Sequence, residues 1–151
     1  MANGSSAPST PEEARNTQAI ILTSLPVGVT LFAVVGLWVT RDGSPGDPGP
    51  LLTVWMIGTA AALVAAVVAW RRLVQPHLPR AGRQPAEVSM ETIGRFQTGQ
   101  IICMALVEGM GLFGGVILII SGAAMPALVG VALAWGALVA LWPRREWYGL
   151  R

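Results

Sequence analysis

Residues 97–120, QTGQIICMALVEGMGLFGGVILII, constrain this chain more than any other stretch. The run is long enough to cross a bilayer as a helix, which takes about 20 mostly apolar residues. It holds a single ionisable side chain, Glu108, near its middle. At ~1.5 Å per residue a helix sets that carboxyl roughly 15–18 Å from either end of the run. A charge at such depth costs at least about 2.5–3.5 kcal/mol, so the sequence predicts a carboxyl that is protonated or paired.

Three further apolar runs approach or reach spanning length, at about 18–40, 51–74 and 126–142. Apolar residues make up 53% of the chain and charged residues 12%, about half the charge of soluble proteins. A chain of 151 residues has no soluble way to hide four such helices. The expected fold class is therefore all-α: an integral membrane four-helix bundle of two helical hairpins. Residues 1–16 read as a largely disordered cytoplasmic N-terminus, and 17–151 as the four-span domain. Within the first part, Thr10-Pro11-Glu12-Glu13 has the pattern of a helix start. The N-terminal run lacks a basic start and an obvious small-residue cleavage site, so it does not read as a signal peptide.

Charge sets the expected orientation. All ten basic residues are Arg. Arg41 lies in the first loop; the rest fall at the N-terminus, in the central connection (75–95 and just before it) and at the C-terminus. With four spans those three regions share one side, which the positive-inside rule makes cytoplasmic. A bacterial inner membrane, crossed four times with both termini inside, is the expected location. Loops 41–50 and 121–125 should face outward. Trp142, Trp147 and Tyr148 beside Arg144 and Arg145 read as an interfacial anchor.

Small residues recur four apart in the second span, as Gly58, Ala62, Ala66 and as Ala61, Ala65, Ala69. Such rows let helix backbones approach closely. Gly58, Ala62 and Ala65 are the candidate packing positions there. In the third span Gln97, Gln100, Met104, Glu108, Gly111 and Gly115 share one helical face. Gly111 and Gly115, the packing positions of this span, would leave room beside the carboxyl for a neighbouring helix, and Gln97 and Gln100 could line a path to it from the cytoplasmic end. Glu108, Gln100 and Gln97 are thus the candidate proton or cation site. The first span echoes the third at a shift of 81: Ile20, Ile21, Leu25, Gly28, Leu31 and Phe32 fall on Ile101, Ile102, Leu106, Gly109, Leu112 and Phe113. Val27 takes the place of Glu108.

No catalytic set, metal-ligand spacing or phosphate loop stands out, so neither an enzyme nor a cofactor is expected. His77 has no second His or Cys nearby, and the lone Cys103 falls within the membrane. The basic connection lacks aromatics and lies beside a membrane, which argues against nucleic acid.

One resemblance emerges from these residues. Arg83-Gln84-Pro85, a polar stretch, Arg95 and then the helix carrying MALVEGMGLFGGVILI resemble the proteolipid (c) subunit of rotary ATP synthases, over about 58–120. The resemblance implies that Glu108 is an ion carrier for a proton or sodium ion. It implies that Arg83, Gln84 and Pro85 belong to the loop that meets the central stalk. It also implies a homo-oligomer, or a subunit of a membrane complex, in the lipid bilayer. The chain adds a span on each side of that hairpin, so the expectation is a divergent, non-enzymatic c-like protein. The alternative is a structural or accessory subunit with Glu108 as an interhelical hydrogen-bonding residue.

Overall fold

Local signals set the helix starts. The computed structural model describes residues 8, 10–41, 46–78 and 89–150. Helix α1 spans Pro11–Val39, with Thr10 as its N-cap accepting from the Glu13 backbone N–H at 3.2 Å. Glu12 and Glu13 lie in the first turn, where carboxylates suit the positive end of the helix. The expected disordered segment to residue 16 is therefore too long, because a satisfied cap and Pro11 at the first position start the helix early. The helix continues through Pro26.

Helix α2 spans Gly49–Ala69, and the chain goes on through a wide π turn, Trp70–Val74, and a short 3-10 turn, Gln75–His77. Pro76 has no N–H to continue the ladder. Helix α3 spans Met90–Ser121, capped by Ser89, whose Oγ accepts from Thr92 N–H at 3.3 Å. Helix α4 spans Ala124–Leu141, and a 3-10 turn, Arg145–Tyr148, follows. Between α3 and α4 stand only Gly122 and Ala123, and Gly122 has φ 72°, a left-handed value that suits glycine. Among the described residues, four helices are long and apolar enough to cross a membrane.

Helix α3 is the centre of the bundle, packing on α1, α2 and α4. Helix α1 also packs on α4, whereas neither α1 with α2 nor α2 with α4 shares more than marginal contact. The two hairpins are thus packed differently, despite the sequence echo. Glycines explain the tight one. A Cβ on Gly130 would sit 2.5 Å from Gly111 Cα, and one on Gly114 would sit 2.5 Å from Pro126 O. The α3 and α4 backbones touch along that seam. On the α1 side, a Cβ on Gly115 would meet Phe32 Cδ1 at 2.5 Å, and one on Gly36 would meet Leu118 Cδ2 at 2.9 Å.

At the end of the bundle away from the Arg-rich one, Gly46 N–H donates to Ser121 O at 2.8 Å and ties the two turns together. The Arg-rich end is closed by a buried cluster of Ala14, Val74, Ile93, Phe96 and Tyr148. Tyr148 is 1% exposed and meets Phe96 edge-on at 5.1 Å. This corrects the anchor reading for Tyr148: the chain after Pro143 folds back over the bundle, held by Arg15 Nε donating to Pro143 O at 3.1 Å. Trp142 remains exposed, as an anchor would be.

Candidate functional site

Glu108 stands in the middle of α3, on the edge of its buried face, half-buried. Its carboxyl points at α1, where a Cβ built on Gly28 would lie 3.7 Å from Oε1. Gly28 sets no side chain against the carboxyl, and a methyl there would make only ordinary contact with it. Among the described residues the Glu108 carboxyl has no hydrogen-bond or ion-pair partner.

The rest of the face behaves differently. Gln100 is 0% exposed, and its amide donates to Leu141 O at 3.0 Å. Its Oε1 accepts from Gln18 Nε2 at 3.4 Å, and Gln18 is itself buried. Gln97 Nε2 donates to Ala14 O at 2.8 Å and lies 3.3 Å from the Tyr148 hydroxyl. These amides tie α1, α3 and the start of the C-terminal segment together. Buried Met104 separates them from Glu108, and at ~1.5 Å per residue Gln100 lies roughly 12 Å below the carboxyl. The structure therefore joins Gln97 and Gln100 to each other's network but not to Glu108.

Gly111 and Gly115 leave room for a neighbouring helix, as expected of packing positions. Val29 of α1 fills that room at Gly111, with Cγ1 2.8 Å from a would-be Cβ, and Phe32 fills it at Gly115. Gly28, which the sequence reading left out of the site, is the α1 residue that faces the carboxyl. Its signal was the echo, where it pairs with Gly109. Gln18 was also missed. It recurs four apart with Leu22 and Pro26, and all three are buried. Residues packed across α1 and α3 run Gln18 with Gln100, Leu22 with Met104, Val29 with Gly111 and Gly36 with Leu118. The echoing spans therefore lie side by side and near the register of the 81-residue shift.

On α2, Gly58 faces Met110, whose sulfur lies 3.1 Å from a would-be Cβ, and Ala62 is part-buried beside Val107 and Met110. Ala65 is exposed. As a packing position within one chain Ala65 is corrected, because α2 packs only on α3 and so covers one narrow stripe. Two further bonds bind that stripe: Trp55 Nε1 donates to Met110 O at 2.9 Å, and Cys103 Sγ donates to Ala66 O at 3.3 Å. Thr59 Oγ1 is buried without a partner among the described residues.

Arg83, Gln84 and Pro85 lie outside the described residues. Among the described residues, no group of three or more His, Cys, Asp or Glu is placed to hold a metal. The other intramembrane polar contact of note is Trp135 Nε1 donating to Thr30 Oγ1 at 3.0 Å. No family model, curated protein or solved structure matches the chain.

Proposed function

We propose that this is a non-enzymatic multi-pass membrane protein, c-like in its third helix, that binds a proton at Glu108. One observation carries the reading. Gln18, Gln97 and Gln100 all have partners across helices, while the Glu108 carboxyl has none among the described residues. An intramembrane acid held apart from structural bonds is placed as a functional group would be. A proton suits the site better than sodium. A metal cation takes several oxygen ligands, and Gly28, the residue facing the carboxyl, brings no side-chain oxygen.

Release of that proton calls for an assembly, either a homo-oligomer or a larger membrane complex. The described Arg residues stand toward the helix ends, away from the depth of Glu108. A second chain would supply the group that forces release. The alternative reading, an accessory subunit with Glu108 as interhelical glue, also draws on another chain for its hydrogen-bond partner.

A hydrophobic carbodiimide tests the proposal. In the sequence the seven other acids fall outside the four apolar runs. The reagent should modify Glu108 selectively, more slowly as pH rises, and Glu108→Gln should remove the labelling while the bundle still folds. Resistance of Glu108 at every pH, or unfolding of Glu108→Gln, would favour the structural reading. Orientation follows the Arg distribution in this proposal, with both termini in the cytoplasm of a bacterial cell. Single cysteines at positions 46 and 84, on a Cys103→Ser background, report it: position 46 should label from outside.

A further inference from the structure

Since α2 and α4 stand apart, a groove of about 470 Å³ opens between them. Cys103 and Val107 of α3 form its floor, Val67 and Trp70 part of one wall, and Ala137 and Ala140 part of the other. Its volume falls within the ~300–1,000 Å³ of ordinary ligand sites. The lining is almost wholly apolar, and the groove lies along spanning helices. In a membrane it therefore opens sideways to lipid rather than to water.

The chemistry of the groove selects its occupant. Leu63, Val67 and Trp70 on one side and Ala137, Ala140 and Leu141 on the other offer apolar contact along its length, which suits a flexible acyl chain.

The mouth of the groove supplies the rest of the argument. At the Arg-rich end, Trp70 meets Trp147 with ring centroids 6.0 Å apart. The Arg144 guanidinium carbon lies 5.7 Å from the centroid of that Trp147 ring. Arg71 follows Trp70 in the π turn at the same end. Both Arg are exposed, and neither is paired with a carboxylate among the described residues. Glu146 is the acid of that segment, and Arg145 precedes it. Guanidinium groups at a membrane surface favour anionic headgroups.

We propose that this groove seats one acyl chain of an anionic phospholipid, with Arg71 and Arg144 holding its phosphate at the mouth. The groove binds the part of the chain nearest the headgroup, and the two tryptophans mark the level of the glycerol. The site is independent of Glu108, which lies against α1.

Native mass spectrometry of the full chain, released from nanodiscs of equal phosphatidylglycerol and phosphatidylcholine, tests this. The wild type should retain one phosphatidylglycerol at about ten times the occupancy of phosphatidylcholine. Arg71→Gln with Arg144→Gln should reduce that ratio to about one. Ala140→Phe should lose the bound lipid while keeping both guanidinium groups, since position 140 is exposed and lines the groove. Equal retention of the two lipids by the wild type would mean ordinary annular lipid and would overturn the proposal. So would an undiminished preference in the double Arg variant. A lipid-free dimer whose contact is broken by Ala140→Phe would give the groove to a second copy instead.

Discussion

Gly28 of α1 and Glu108 of α3 face each other across the bundle, with 3.7 Å between Oε1 and the place where a Cβ would stand. That distance is ordinary van der Waals contact. Gly28→Ala is therefore expected to fold normally, with carbodiimide reactivity at Glu108 close to that of the wild type. Gly28→Phe places a ring over the carboxyl and should slow the reaction severalfold. If Gly28→Phe labels as fast as wild type, the reagent reaches Glu108 from the lipid side of α3 and Gly28 does not gate it.

The glycine seam should be intolerant in a graded way. Gly130→Ala and Gly114→Ala push a methyl to 2.5 Å from backbone atoms, which cannot swing aside as a flexible side chain can. Each should cost about 1–3 kcal/mol, the usual range for overpacking. Gly109 has nothing within 4 Å of its would-be Cβ, so Gly109→Ala should be neutral or slightly stabilising. On α2, Ala62→Leu should destabilise the bundle and Ala65→Leu should leave it unchanged. Thermal unfolding in detergent reads all five variants, and particle size reads any contact that Ala65 makes between chains.

The Gln18–Gln100 contact invites a double-mutant cycle. Gln100→Leu leaves the Leu141 carbonyl without that amide donor and removes the acceptor for Gln18. Each single Leu variant should lose about 0.6–2 kcal/mol. The double variant should lose less than the sum, because the two amides share one bond. Strict additivity would show that the 3.4 Å contact contributes nothing of its own.

Tyr148 lies beyond the last span, and burial pushes its phenol above the usual tyrosine value, with Gln97 and the Arg15 charge pulling partly the other way. Its folded value is therefore raised above its unfolded value of about 10. The stability this contributes is fully present below that unfolded value and is lost as pH rises through the folded one. Unfolding measured from pH 8 to 11 should show a loss of stability at the alkaline end. Tyr148→Phe, which keeps the ring on Phe96, should flatten that loss.

Much of the architecture was legible because it rests on local chemistry. Apolar length marks the spans, Thr10 and Ser89 mark helix starts, and a lone Glu108 marks a depth in the membrane. The site was only half legible. Glu108 stands out by its charge alone, but Gln97 and Gln100 were grouped with it because they share its helical face. The tertiary structure gives those amides to Gln18, Ala14 and Leu141 instead. Tyr148 looked like a membrane anchor by its neighbours in sequence, yet the chain turns at Pro143 and buries it.

The sequence by itself determined how many long helices there are, roughly where each begins and that Glu108 lies near the middle of α3. Only the tertiary structure decided which face of each helix points inward. In a soluble bundle, an apolar stripe against a polar one would have announced that choice. Here lipid is as apolar as leucine, so hydrophobicity does not separate inside from outside. The choice falls to shape. Gly111 meets Gly130, Gly28 faces Glu108, and Ala65 is left facing outward because α2 packs mainly on one neighbour.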